Sequence, residues 1–181
     1  GAVISVITAT GEGPALATGM IGDDAMLGAL LVLGTEQWPN RAIVQNTGQA
    51  LCVAATDFRD GLGKSPELQR TLERYLYMLI VQLGQTAACN RFHRIETRLA
   101  RWLLMTHDRA PADELTITHE CLANMLGVRR VGVTMAASAL QDRGLIRCQR
   151  GSLTIVDRHG LEAAACGCYA ADRDTRARAM G

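Results

Sequence analysis

Between Leu115 and Asp157, glycines at 127, 144 and 151 cut the chain into apolar-periodic segments, and their order leaves few folds open. Thr118 suits the N-cap of a short helix over 119–126, with Leu122, Ala123, Met125 and Leu126 as its buried side. Gly127 supplies a tight turn. A second helix over 129–142 sets Val133, Ala136, Ala137 and Leu140 at helical spacing, and Gly144 ends it. Small Ala123 lets the two helices approach closely. Two short helices joined through a glycine turn form a helix-turn-helix pattern. Residues 145–149 and 152–156 then alternate apolar and polar about Arg150-Gly151, as a β-hairpin does. Helix-turn-helix followed directly by a hairpin is a winged helix, and the whole order is more specific than any piece of it.

Upstream, Ser65-Pro66-Glu67 is a helix start: serine as N-cap, proline in the first turn, then an acid. No glycine or proline follows until Gly84. Leu68, Leu72, Tyr75, Leu76, Leu79 and Leu83 recur every three or four residues, so the spacing predicts one helix to about residue 90. At 1.5 Å per residue it spans about 37 Å. Tyr77, Met78, Ile80 and Val81 widen its apolar surface beyond one stripe. Such a helix buries two faces, and a second subunit is the natural cover for one of them. Residues 94–105 predict a further amphipathic helix with Ile95, Leu99, Trp102 and Leu103 on one face, followed by a polar loop over 107–114.

Residues 1–63 read as strands and turns, with strands at 2–8, 15–18, 20–22, 42–45 and 50–54, and a turn at Gly11-Glu12-Gly13-Pro14. Five short strands make a thin sheet, as if the front of a larger β-domain were absent. Aromatic residues are 4% of the chain against 48% apolar overall, so aliphatic side chains must fill the core.

Net charge is only +1, but its distribution is uneven. Residues 1–63 carry six acids and two arginines; residues 94–160 carry ten arginines and seven acids. Arginine suits bidentate contact with phosphate and guanine. No apolar run approaches the ~18 residues of a membrane helix, and no signal-peptide pattern opens the chain, which points to a cytoplasmic protein with no membrane partner. Asp23, Asp24, His93 and His107 are dispersed and form no catalytic motif, so no enzyme activity is expected. The cysteines at 52, 89, 121, 148, 166 and 168 include no C-x-x-C pair. Cys166-Gly-Cys168 is the one close pair, and free, mostly buried thiols with no metal are expected.

Arg129 and Arg130 open the second helix of the helix-turn-helix. There, two guanidinium groups and the helix N–H groups face base edges and phosphates. Val131, Gly132, Thr134, Met135 and Ser138 continue the face. Arg150 at the wing tip is a candidate phosphate contact, as are Thr118 and His119 at the start of the first helix. Double-stranded DNA is the expected partner. The alternative is a dimeric adaptor whose winged helix binds protein.

The stretch "LTITHECLANMLGVRRVGVTMAASALQDRGLIRCQRGSLTIVDRHGLE" resembles the DNA-binding domain of the Crp/Fnr regulators, in the "LGVRR" turn, the following "GLI" and the wing. The resemblance implies an α+β chain in three parts. Residues 1–64 would be a partial double-stranded β-roll of the cyclic-nucleotide-binding type, 65–92 a dimerisation helix, and 93–181 a winged helix-turn-helix with a C-terminal tail. It implies a homodimeric transcriptional regulator on a pseudo-palindromic operator, with RNA polymerase as a further partner. Sensing members bind a cyclic nucleotide through a Gly-Glu pair and a later arginine; the nearest candidates here are Gly22, Asp23, Asp24 and Arg41. Aspartate is shorter than glutamate, and two adjacent acids repel a phosphate, which argues against that ligand. Familiar members carry Glu and Arg where this chain has Val131 and Met135. Base readout would then rest on Arg130 and Arg129, with Val131 offering apolar contact to a thymine methyl.

Overall fold

The computed structural model of the chain describes residues 2–9, 15–23, 25–109 and 112–181. Strands β1 (Ile4–Ala9), β2 (Ala15–Ile21) and β3 (Arg41–Val44) form an antiparallel sheet in the order β2-β1-β3. Then follow helices α1 (Ala55–Lys64), α2 (Pro66–Phe92) and α3 (Ile95–Arg109), the short strand β4 (Glu114–Leu115), and helices α4 (His119–Leu126) and α5 (Arg130–Asp142). Strands β5 (Ile146–Gln149) and β6 (Ser152–Ile155), then helices α6 (Arg158–Ala164) and α7 (Cys168–Met180), complete the chain. The second sheet runs β4-β6-β5 and is the wing.

The N-terminal sheet departs from the sequence reading in two places. The strands expected at 15–18 and 20–22 are one strand, β2. Its pairing shifts register opposite Val6 and Ile7, where Gly19 and Ala17 are the partners and Thr18 is the extra residue. Gly19 produces a bulge rather than a break, a common role for a strand glycine. The strand expected at 50–54 does not form. Both edges of β1 are already taken by β2 and β3, and Leu51 and Val53 lie exposed. The turn expected at 11–14 lies outside the described residues. Helix α1 replaces part of what the sequence reads as strands and turns: Phe58 and Leu62 fall one turn apart and are half-buried, and the helix buries no side chain fully.

Helix α2 forms as its sequence predicts. The Ser65 hydroxyl accepts from the Leu68 N–H at 3.2 Å, with Pro66 at the first helical position, a cap worth about 1 kcal/mol. The residues after the wing, expected as a tail, are helices instead. The Asp157 carboxylate accepts from the Gly160 N–H and starts α6, and α7 packs back along α2.

One core runs from the N-terminal sheet into the wing. It joins Val3, Ile7 and Met20 to Leu99, Leu103, Leu122, Val133, Leu140, Ile146, Leu153 and Leu161. Two glycines mark the close approaches between the sheet and the C-terminal part. A Cβ at Gly22 would stand 2.9 Å from the Arg109 side chain, and one at Gly127 would stand 2.7 Å from Leu16. A second, smaller cluster gathers Tyr75, Leu76, Met78 and Leu79 of α2 with Ala29, Leu30, Met26 and Ala179.

Candidate nucleic-acid interface

The helix-turn-helix is built as its residues dictate. The Thr118 hydroxyl accepts from the Cys121 N–H at 3.1 Å and starts α4. Gly127 ends α4 with φ +62°, a left-handed conformation that a side chain disfavours. The Val128 N–H then returns to the Ala123 carbonyl at 3.0 Å, so the turn into α5 is closed by backbone bonds. Leu122, Ala123, Met125 and Leu126 face Val133, Ala136, Ala137 and Leu140, all buried. The Arg98 guanidinium donates to the Leu126 carbonyl from beneath, which fixes the end of α4 on α3.

The outward face of α5 carries Arg130, Val131, Thr134, Met135 and Ser138, all exposed, with Arg129 exposed at its N-cap. Val131 and Met135 keep 63% and 70% of their surface in solvent, so two apolar side chains stand beside the arginines on this face. Arg129 makes no side-chain cap, so the first N–H groups of α5 are not engaged by it. Among the described residues, no acid pairs with Arg129, Arg130 or Arg150. Arg150 is exposed in the wing turn, beside Gly151 with φ +82°.

Three residues proposed for this face also have partners within the chain. Gly132 turns inward: a Cβ there would lie 2.8 Å from Ile95 Cδ1, so its role is the packing of α5 on α3. Thr134 donates its hydroxyl to the Arg130 carbonyl at 3.1 Å, and His119 Nδ1 lies 3.1 Å from the same hydroxyl oxygen. With the hydroxyl hydrogen already spent, the Nδ1–H is the donor, and the pair bridges α4 to α5.

The effector-pocket residues do not converge. Gly22 is buried against Arg109, and Asp23 and Arg41 are exposed. Gly22 follows Ile21, which pairs with Ile4, whereas Arg41 pairs with Ile7 on the other side of β1. By strand spacing the two ends are about 14 Å apart, too far for one ribose phosphate. Asp24 lies outside the described residues.

The stripe of α2 expected to face a partner is also redistributed. Leu72, Tyr75 and Leu76 are buried within the chain, and the Tyr75 hydroxyl donates to the Met26 carbonyl at 3.5 Å. Leu79 packs on the same cluster. Leu68 and Leu83 are exposed, and so are Tyr77, Ile80, Gly84, Ala87 and Ala88 on the neighbouring face. The 3.6-residue period located the helix but could not tell which of two apolar faces its own chain would cover.

The cysteines divide into two groups. Cys121 and Cys148 have thiols pushed up by burial, in keeping with inert packing roles. Cys89, Cys166 and Cys168 meet His93, a cluster that the expectation of unconnected thiols missed because the chain separates its halves by more than seventy residues. Cys89 is pulled down, chiefly by a hydrogen bond from Cys166, with His93 and Arg101 adding to it against burial. Cys166, which keeps the shared proton, is pushed up.

Fold and surface together define a winged helix-turn-helix protein with an N-terminal β-sheet and a long connecting helix. Residues 97–164 match the Crp-like helix-turn-helix domain. Similar solved structures include two from Thermus thermophilus. The Crp/Fnr-family regulator TTHA1359 is 21% identical with a TM-score of 0.66, and the Crp-family regulator TTHB099 is 16% identical with a TM-score of 0.71. Each alignment covers 90% of this chain and 83% of the other. FixK2 from Bradyrhizobium japonicum is 13% identical over 91% of this chain and 83% of its own, with a TM-score of 0.64. No curated protein matches the chain. Residues 97–164 are thus a Crp-like helix-turn-helix domain, in a chain with the fold of the Crp/Fnr transcriptional regulators. Among the described residues, no helix is long and apolar enough to cross a membrane.

Proposed function

We propose that this chain is a homodimeric, sequence-specific DNA-binding transcriptional regulator acting in the cytoplasm, where its DNA is. The observation that carries the reading is the outward face of α5. Among the described residues its leading arginines have no acidic partner, and apolar Val131 and Met135 stand in solvent beside them. A major groove supplies what such a face lacks: phosphates and guanine edges for Arg129 and Arg130, and thymine methyl groups for Val131 and Met135. Ser138 lies one turn further along, and Arg150 reaches a phosphate from the wing. Gly132, Thr134 and His119 act indirectly, by holding α5 on its supports.

Dimerisation is read from the uncovered face of α2. Tyr77, Ile80, Gly84, Ala87 and Ala88 recur at spacings close to a coiled-coil seam, and Gly84 leaves room for a second helix to come near. Two subunits paired there would present two copies of α5 to successive turns of one DNA face, about 34 Å apart. The effector stays open: Gly22, Asp23 and Arg41 do not form a cyclic-nucleotide pocket in this arrangement.

The test is an anisotropy titration of the full chain against a genomic fragment library, repeated across salt concentrations. Specific binding with a steep salt slope, about 0.9 log units per phosphate contact for each tenfold in salt, supports the reading. Salt-insensitive or absent DNA binding would overturn it in favour of a protein-binding winged helix.

A further inference from the structure

Four potential metal ligands come together where α2 hands over to the DNA-binding domain. Cys89 lies in the last turn of α2, and His93 is that helix's C-cap. Cys166 lies in the link between α6 and α7, and Cys168 is the first residue of α7. Their ligand atoms all lie within 4.8 Å of one another. Cys89 Sγ stands 3.5 Å from Cys166 Sγ, and Cys168 Sγ stands 3.4 Å from His93 Nδ1.

A tetrahedral zinc ion with Zn–S bonds of about 2.3 Å and Zn–N bonds of about 2.05 Å sets S···S edges of about 3.8 Å and S···N edges of about 3.6 Å. Both measured edges fall within a few tenths of an ångström of those values. An iron–sulfur cluster would hold its cysteines apart by the width of the cluster, so a single ion fits and a cluster does not. Three thiolates and an imidazole are soft and borderline donors, which favour zinc over magnesium or calcium.

The surroundings are those of a built site. The Gln85 side-chain N–H donates to Cys168 Sγ at 2.9 Å, one turn before Cys89 on the same helix. A zinc ion with three thiolates carries net charge −1. Arg98 and Arg101 lie close by, and Asp172 neutralises one of them, which leaves one positive charge to balance the site. Cys89 and Cys168 are buried, while His93 is exposed and gives the ion a way in.

We propose that Cys89, His93, Cys166 and Cys168 form a tetrahedral zinc site that ties the C-terminal segment to the junction of α2 and α3. The ion cross-links residues far apart in sequence. It therefore fixes how the domain that carries α5 is seated on the long helix. Nothing in this proposal depends on DNA binding, and its test reads metal alone.

The experiment uses the full chain, purified under reductant. Zinc content is measured per chain, and Co²⁺ is then titrated into the metal-free protein. The expected result is one zinc per chain and the intense visible and thiolate charge-transfer bands of tetrahedral cobalt. The double variant C166S/C168S should abolish both, whereas C121S and C148S should leave both unchanged. Gln85→Ala should weaken affinity about 10–100-fold without altering the cobalt spectrum, as expected for a group that orients a ligand. If C166S/C168S does not fold, His93→Ala decides: its side chain is exposed, and its loss should weaken binding and shift the cobalt bands. Zinc should also raise the melting temperature of the parent chain and not that of C166S/C168S. No stoichiometric uptake of either metal would overturn the proposal. So would an octahedral cobalt spectrum, iron–sulfur absorbance, or uptake that survives C166S/C168S.

Discussion

Arg101 reaches the carboxylate of Asp172 with two of its nitrogens, Nε at 2.9 Å, and both side chains are more than nine-tenths buried. The pair ties α3 to α7, and Arg101 also donates to Thr86 of α2 at 3.1 Å, so three helices meet at one guanidinium. Removing Asp172 takes the carboxylate away from a buried guanidinium. Asp172→Ala is expected to cost about 3–5 kcal/mol of unfolding free energy, whereas R101M/D172L, which removes both charges, should cost much less. Urea denaturation followed by circular dichroism checks this. Equal losses in the two variants would show that packing, and not the stranded charge, sets the cost.

The residues proposed to face DNA separate by the kind of contact each would make. Arg130→Ala is expected to lose about 1–3 kcal/mol on the specific site and to relax preference at one base pair. Arg150→Ala should instead weaken binding evenly across sequences and reduce the salt slope by about one contact. Both side chains are exposed and, among the described residues, lack an acidic partner, so neither variant should change stability by more than about 0.5 kcal/mol. Anisotropy on matched and scrambled fragments distinguishes the two outcomes. Full specific binding by Arg130→Ala would take that residue out of the readout.

Much of this was legible in the chain itself, and the reason is local physics. Ser65, Thr118, Gly127 and Gly144 act within a few residues of themselves, so capping and turn rules place α2, α4 and α5 almost to the residue. What sequence could not show depends on contacts far along the chain. Tyr75 and Leu76 look like part of a partner-facing stripe until Ala29, Met26 and Ala179 are seen to cluster with them. Gly132 looks like part of a DNA-reading face until Ile95 is found against it. Cys89 and Cys166 look like unconnected thiols because α7 folding back along α2 is invisible to any periodicity.

Gly132 offers a direct check on the support of α5. A Cβ added there meets Cδ1 of Ile95 at 2.8 Å, the flexible end of a side chain that can shift aside. Gly132→Ala should therefore be tolerated within about 1 kcal/mol, helped by alanine's better helix propensity. Gly132→Val should cost about 1–3 kcal/mol through overpacking, and adding Ile95→Ala should recover part of that loss. Thermal denaturation of the parent, the two single variants and the double variant gives the coupling. Strict additivity would mean that the two residues do not press on each other.

Helix α2 gives the sharpest contrast between two apolar faces of one element. Ile80 keeps 68% of its surface in solvent, whereas Leu72 keeps 8%. Ile80→Glu places a charge on the uncovered face. It should leave the fold of each chain intact while dissociating the proposed dimer, because a like pair of carboxylates would face each other across the seam. Leu72→Glu buries an unpaired charge in the chain's own core and should prevent folding at any concentration. Sedimentation equilibrium with circular dichroism separates the two: a folded monomer for the first, loss of helix signal for the second. Because two half-sites would be read by two copies of α5, the folded Ile80→Glu monomer should also lose most of its affinity for a palindromic fragment while keeping weak binding to a half-site. A folded Ile80→Glu dimer would place the subunit contact elsewhere and, with it, the spacing of the two recognition helices.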